Sequence, residues 1–143
     1  METGLPFLLI LEDDAVLDKG FRETLEHIIN SNYGKDSWIN LNSGAGLVRT
    51  KSDPVPNEFG MYRVSPPATR CATSYIISRG TAARIIALFE VYGIPSWLPI
   101  DFLYQAAVLK LKLKTYWQDP PCIIQGSESG AYKSNFENLR SDG

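Results

Sequence analysis

A continuous apolar run that ends in three adjacent carboxylates is the feature that most constrains the fold of this chain. Phe7–Leu11 has the length of a strand, and such runs are typical of a central strand covered on both faces. Glu12, Asp13 and Asp14 follow at once, although neighbouring like charges repel one another. In an open α/β sheet, ligands bind beyond the carboxyl ends of the strands. The three acids therefore form a candidate ligand site at one edge of a sheet.

The spacing of these acids favours a divalent cation. Residues two apart on an extended chain point the same way, so Glu12 and Asp14 can face one object while Asp13 faces another. A cation such as Mg²⁺ or Mn²⁺ relieves the repulsion and prefers oxygen ligands, and magnesium typically takes only one or two carboxylates. The alternative is that the acids cap the next helix, because acids favour helix N-termini. The pattern of that helix begins only after Asp18, its expected N-cap, so a metal site is the stronger interpretation.

Strand patterns and helix patterns alternate along the chain. The expected strands are Phe7–Leu11, Ser37–Asn42, Thr73–Ser78 and an exposed strand that follows a helix end near Leu109 and continues to Trp117. The expected helices follow Asp18, cover Thr81–Tyr92 with Gly93 as the end, and begin again at Asp101. Residues 43–59 are predicted to form a long surface loop, and residues 126–143 a loosely held tail. This order predicts an α/β layered fold with a mostly parallel sheet and flanking helices.

Composition excludes several classes of function. A chain of 143 residues with 44% hydrophobic residues predicts one domain with a real core, and the net charge of −2 without a basic block argues against a nucleic-acid partner. One histidine and two distant cysteines cannot form a zinc site of the usual Cys/His kind. Lys110, Lys112 and Lys114 are expected on the solvated face of an edge strand, with attraction to an anionic membrane or glycolipid as the lesser alternative.

Five short motifs, taken in order, resemble glycosyltransferase family 25, which contains lipopolysaccharide and lipooligosaccharide galactosyltransferases and related collagen-modifying enzymes. The motifs are LILEDDA, TSYIISRGTA, PIDFLYQ, YWQDPPCIIQ and KSNF, and the resemblance covers roughly Phe7 to Phe136. The resemblance implies a GT-A-type fold and a nucleotide-sugar donor, most often UDP-galactose. It also implies transfer to a glycan or glycolipid acceptor with inversion at the anomeric carbon.

The resemblance also implies roles for individual residues. Glu12 and Asp14 match the acidic metal motif of the family and are expected to hold Mn²⁺ or Mg²⁺. Asp101 matches the aspartate of the P-x-D segment and is the candidate catalytic base, because an attacking hydroxyl group must lose a proton. The alternative for Asp101 is that it caps the helix that it begins. Contacts with donor or acceptor are expected from four further residues, Asp13, Thr73, Ser74 and Tyr75.

The chain departs from the family pattern at its start. Family members carry a nucleotide-binding segment before the acidic motif, whereas here the motif begins at residue 12. The isolated chain is therefore expected to be weakly stable, to self-associate and to turn over its donor poorly. Two other functions stay open, namely a non-catalytic relic or carbohydrate- or nucleotide-binding module of the same fold, and an unrelated metal-dependent phosphotransferase. The expected location is the cytoplasm, with peripheral contact at the inner face of the membrane.

Overall fold

A computed structural model describes residues 6–31, 33, 36–42, 44, 47–95 and 97–130. Within these residues the chain is a mixed α/β domain. Its strands are β1 (Phe7–Leu11), β2 (Ala15–Leu17), β3 (Ser37–Asn40), β4 (Met61–Val64), β5 (Ser74–Ser78), β6 (Lys114–Gln118) and β7 (Ile123–Gln125). Its helices are α1 (Phe21–Asn30), α2 (Arg79–Tyr92), α3 (Ile100–Lys110) and α4 (Gly126–Ser129).

The main sheet has the strand order β1-β5-β3-β6-β4 in the described part of the chain. Only β3 and β6 run parallel, whereas β1–β5, β3–β5 and β4–β6 are antiparallel pairs. Strands β2 and β7 form a separate antiparallel pair. The predicted α/β class is confirmed, but the predicted mostly parallel sheet is wrong. The reason is that β5 lies between β1 and β3 and runs opposite to both, so the order of elements along the chain did not determine strand direction.

Strand β1 lies at an edge of the sheet, not at its centre. Among the described residues it pairs only with β5, and Leu8, Leu9 and Leu11 remain 36–40% exposed. All five residues of β5 are buried, and β5 lies inside the sheet between β1 and β3, whereas the predicted central strand Phe7–Leu11 lies at its edge. An apolar run in the sequence shows that a strand is hydrophobic, but it does not show how many other strands pair with it.

Strand β6 is an inner strand, so the expected exposed edge strand is wrong. The strand begins only at Lys114 and lies between β3 and β4. Lys110 ends α3, and Lys112 lies in the following turn with a φ of 53°. The alternating lysines therefore span a helix end, a turn and a strand start. Their exposure follows from three different local structures and not from one solvated strand face.

The sheet separates two apolar clusters. Along β3 and β5, Ile39 and Ile76 point toward α1, whereas Trp38, Tyr75 and Ile77 point toward α2 and α3. This alternation is the two-residue period of extended strands. Helix α1 thus covers one face of the sheet, and helices α2 and α3 cover the other.

The helix ends follow local chemistry. Helix α2 begins after Ser78, whose side chain accepts from the Thr81 N–H, and it ends as predicted at Gly93, where φ is +75°. Helix α1 begins at Phe21 with Gly20 as N-cap, so the expected Asp18 cap is wrong. The described helices include none that is long and apolar enough to cross a bilayer. The predicted loop contains no helix or strand across its described residues 47–59.

Candidate functional site

The acidic cluster at the end of β1 meets the segment that leads into β5. Leu11 pairs with Ser74, and the Glu12 N–H donates to the Thr73 carbonyl oxygen at 2.9 Å. Asp101, in the first turn of α3, lies close enough for its charge to act on Glu12. The structure therefore brings residues from three separate segments to one sheet edge.

The electrostatic environment of Glu12 is unfavourable to its ionised form. Burial of the carboxylate raises the pKa of Glu12, the Thr73 hydroxyl lowers that pKa, and the charges of Asp14, Asp101 and Asp13 raise it further. The neighbouring charges that act most strongly on Glu12 are thus all negative. A bound cation would relieve this repulsion.

Asp14 connects the acidic cluster to the C-terminal part of the fold. Its Oδ2 accepts from the Ser127 hydroxyl at 2.7 Å and from the Ser127 N–H at 3.3 Å, and its carbonyl accepts from the Gly126 N–H at 2.8 Å. Its Oδ1 makes no hydrogen bond with a described residue. Gly126–Ser129, the start of the predicted loose tail, forms α4 and is held by these bonds. Residues 131–143, including the KSNF motif, lie outside the described residues.

The donor set of this cluster fits only a cation that receives most of its ligands from elsewhere. The part of the chain that the structure describes contains no group of three or more His, Cys, Asp or Glu side chains that could hold a metal ion. Glu12 and Asp14 supply two carboxylates, and Asp13 is exposed in the turn between β1 and β2. Mg²⁺ usually binds one or two carboxylates, and water and substrate phosphates complete its coordination shell.

Asp101 has a buried oxygen atom that no described residue satisfies. Its Oδ1 is inaccessible and has no hydrogen-bond partner there. The N-cap of α3 is Pro99, so the alternative that Asp101 caps this helix is wrong. Buried polar atoms rarely stay unpaired, because each costs about 1–3 kcal/mol. Because Asp101 Oδ1 is inaccessible, a bound hydroxyl group could reach this oxygen only after a local rearrangement.

Thr73, which precedes β5, and Ser74 and Tyr75, which begin it, differ in their surroundings. The Thr73 and Ser74 hydroxyl groups are buried and make no hydrogen bond of regular geometry with described residues, although Thr73 is near enough to lower the Glu12 pKa. The Tyr75 ring stacks on Trp38 with centroids 4.1 Å apart and packs against Tyr104 at 5.2 Å. Burial raises the pKa of Tyr75 far above its usual value. Thr73 and Ser74 offer polar groups beside the acids, whereas Tyr75 packs in the core.

Asn40 is a residue that the sequence analysis did not identify. Its side chain is fully buried, and its Oδ1 accepts from the Trp38 indole and from the Arg70 N–H, both at 3.0 Å. Its Nδ2 donates to the Arg70 carbonyl at 3.1 Å and lies 3.4 Å from the carbonyls of Cys71 and Ser74. One amide thus holds residues 70–74, the segment that carries Thr73. The sequence feature that could have identified Asn40 is an asparagine inside the apolar strand pattern SWINLN.

Arg70 fixes the other side of the same segment. Its Nη1 donates to the carbonyls of Asn42 and Gln118, both at 3.1 Å, and its guanidinium lies 4.2 Å from the centre of the Trp117 ring. The residue is 2% exposed and pairs with no described carboxylate. Burial therefore lowers the pKa of Arg70. Its role is to join the segment before β5 to the ends of β3 and β6.

The chain matches no protein-family model, and no curated protein sequence is significantly similar to it. A functional proposal therefore depends on the short motifs and on the geometry of the sheet edge.

Proposed function

We propose that this chain acts as a metal-dependent inverting glycosyltransferase with a GT-A-type fold. The reaction moves a sugar, with galactose as the first candidate, from a nucleotide-sugar donor to a hydroxyl group of a glycan or glycolipid. The observation that carries the proposal is that Glu12, Asp14 and Asp101 come together near one sheet edge, where the charges of the two aspartates act on Glu12. The five motifs that resemble glycosyltransferase family 25 support it, because three of these residues fall inside them.

The residues of the site suit a single displacement. The acceptor oxygen attacks the anomeric carbon, the bond from that carbon to the diphosphate breaks, and the acceptor proton passes to Asp101 as the general base. Thr73 and Ser74 are buried, so Thr73 would act by orienting the Glu12 carboxylate and not by direct contact with the substrates. Glu12 and Asp14 would hold Mn²⁺ or Mg²⁺, which supplies charge neutralisation at the leaving diphosphate when it is bound.

A non-catalytic binding module for a carbohydrate or nucleotide is the second candidate. It is favoured by the commitment of the Asp14 carboxylate to Ser127, because a structural acid is a weaker metal ligand. Such a module would bind a nucleotide sugar and leave it intact. A metal-dependent phosphotransferase differs from both in its product, since it moves phosphate and not sugar.

The test is a screen of nucleotide sugars with manganese, reading release of the nucleoside diphosphate. Two variants sharpen it. Asp14→Asn removes the charge but keeps an oxygen acceptor for Ser127, whereas Ser127→Ala keeps the charge and removes the hydrogen bond. We expect Asp14→Asn to lose manganese-dependent binding of uridine diphosphate with an intact far-UV spectrum. Ser127→Ala should retain that binding and lose about 1 kcal/mol of folding stability.

The outcomes separate the three functions. Release of diphosphate together with a glycosylated acceptor supports the transferase. Binding of a nucleotide sugar without release identifies the binding module, and transfer of phosphate identifies the phosphotransferase. Unchanged uridine diphosphate binding by Asp14→Asn would count against the metal role of that residue.

A further inference from the structure

Helix α3, which carries Asp101, is joined to the segment before β5 by the side chain of Gln105. Gln105 lies one helical turn after Asp101 and is half-buried. Its Oε1 accepts from the Thr69 N–H at 2.8 Å and from the Thr69 hydroxyl at 3.2 Å, and its Nε2 donates to the Pro67 carbonyl at 3.1 Å. Both ends of the amide therefore bind the residues on either side of Ala68.

The segment that Gln105 binds is also bonded to strand β6. The Ala68 N–H donates to the Thr115 hydroxyl at 3.1 Å, and the Ala68 carbonyl accepts from the Trp117 indole at 2.8 Å. Thr115 and Trp117 are buried on this inner strand. The middle residue of the segment is thus fixed to the sheet, and the two outer residues are fixed to α3.

The same segment continues to the acidic cluster. Asn40 holds residues 70–74, and the Thr73 carbonyl accepts from the Glu12 N–H at 2.9 Å. Glu12 is therefore fixed relative to residues 67–74, whereas Asp101 is fixed relative to α3. The position of Asp101 beside Glu12 depends on how the helix and the segment are joined, and Gln105 provides hydrogen bonds between them.

Apolar packing alone does not fix α3 in this way. Leu103, Ala107 and Val108 are buried on the sheet side of the helix. Hydrophobic burial is non-directional, whereas a hydrogen bond weakens steeply as its angle departs from linearity. The apolar side chains therefore keep α3 on the sheet, and the Gln105 amide opposes its sliding and rotation.

We infer that Gln105 is the residue that positions Asp101 for proton transfer. The inference rests on the proposed sugar transfer, in which Asp101 is the general base. A misplacement of about 1 Å at a reacting group can lower a rate by about a hundredfold. Loss of the Gln105 hydrogen bonds should therefore lower turnover. Donor binding should stay unchanged, because it depends on the acids beside β1.

The experiment compares Gln105→Leu with Gln105→Glu in the full chain, with manganese and the screen of nucleotide sugars, beginning with UDP-galactose. Leucine removes all three hydrogen bonds, whereas glutamate keeps an oxygen acceptor for Thr69 and loses the donor to Pro67. We expect the kcat of diphosphate release to fall about tenfold or more in Gln105→Leu and about threefold in Gln105→Glu. The donor KM and manganese-dependent binding of uridine diphosphate should match those of the parent in both variants.

Gly60→Ala is the control for a loss of stability without a change at α3. An added Cβ at Gly60 lies 2.7 Å from the Asp119 carbonyl oxygen, so this variant is strained in the turn before β4. Its kcat should equal that of the parent at a temperature where far-UV spectra show both to be folded.

The outcomes separate this inference from the proposed function. Parent-like kcat in every Gln105 variant that folds, or an equal loss of kcat in Gly60→Ala, would overturn the role of Gln105 and leave the sugar transfer standing. A higher donor KM with an unchanged kcat would also overturn it, because the residue would then serve binding. A parent chain that releases diphosphate from none of the nucleotide sugars would overturn the proposed function, and the role of Gln105 with it.

Discussion

At the residue scale, the buried Oδ1 of Asp101 has the most direct chemical consequence. If this carboxylate accepts the acceptor proton, Asp101→Asn should lower turnover about a hundredfold or more, the usual scale for loss of a general base. Donor binding should change little, since the base faces the acceptor. Steady-state rates of diphosphate release and equilibrium binding of the donor measure the two effects separately.

The matched control for Asp101 is Glu58→Gln, which neutralises an exposed acid in the loop before β4. Its turnover should equal that of the parent chain. Near-normal turnover of Asp101→Asn would remove the base from the mechanism and leave Asp101 as a structural residue of α3.

The raised pKa of Glu12 leads to a prediction about how folding stability changes with pH. Burial and neighbouring carboxylates raise the pKa of Glu12 above its usual value near 4.5, so the folded chain holds this proton more tightly than the unfolded chain does. The contribution of Glu12 to folding stability is therefore lost as the pH rises through the raised pKa. In the presence of a chelator, Glu12→Gln should melt at a higher temperature than the parent at neutral pH. The difference should shrink as the pH falls below about 4.5.

Thermal melts over a pH series measure this effect, with Glu58→Gln as the exposed control. A Glu12→Gln variant that melts below the parent at neutral pH would show that the ionised carboxylate stabilises the fold, contrary to this expectation.

Sequence reasoning singled out acids that the structure brings close to one another, but it did not single out Asn40 and Arg70, which hold the neighbouring segment. Glu12, Asp14 and Asp101 were identifiable because an acid next to an apolar strand or at a helix start is a local pattern. Asn40 and Arg70 were not, because their roles arise from hydrogen bonds that join residues 30 positions apart. These hydrogen-bond partners come together only in the folded sheet, so the spacing of residues along the sequence does not predict them.

At the scale of elements, the start of β4 depends on a glycine. Gly60 has a φ of +77°, and a Cβ at this position would lie 2.7 Å from the Asp119 carbonyl oxygen. The backbone is close here because the Asp119 N–H donates to the Gly60 carbonyl at 2.8 Å. Gly60→Ala should lower the free energy of unfolding by about 2 kcal/mol or more. Urea denaturation measures the change.

Gly20→Ala is the control for Gly60→Ala, since Gly20 has a φ of −79° and nothing lies within 4 Å of its added Cβ. This control should change stability by well under 1 kcal/mol. Equal losses of unfolding free energy in the two variants would mean that the chain accommodates the added Cβ beside Asp119 without strain.

Helices were more predictable than strand neighbours in this chain. Helix α2 was expected at Thr81–Tyr92 and occurs at Arg79–Tyr92, because the apolar spacing and the Gly93 end are local signals. The edge position of β1 and the inner position of β6 depend on pairings between distant segments. Local hydrophobicity could predict that these segments form strands, but it could not predict which strands they join.

At the scale of the whole molecule, the free side of β1 is a site for association. Among the described residues, β1 pairs with β5 on one side only, and its leucines are partly exposed. Unpaired apolar edges favour pairing between chains, and a charged residue on the edge prevents it. We expect concentration-dependent self-association by light scattering and a reduction by Leu9→Lys. Val55→Lys, on an exposed loop, should leave association unchanged, and a monomer at all concentrations would contradict the prediction.

The hydrogen bond from Trp38 to Asn40 gives the molecule an internal optical reporter. Trp38 is fully buried, and its indole shares the Asn40 oxygen with the segment that carries Thr73. Any shift of that segment changes the polarity around a chromophore that emits toward the blue. Trp97, which is largely exposed, emits toward the red. Trp117 is buried as well, so the blue emission reports on both buried indoles, whereas the red emission reports on the surroundings of Trp97.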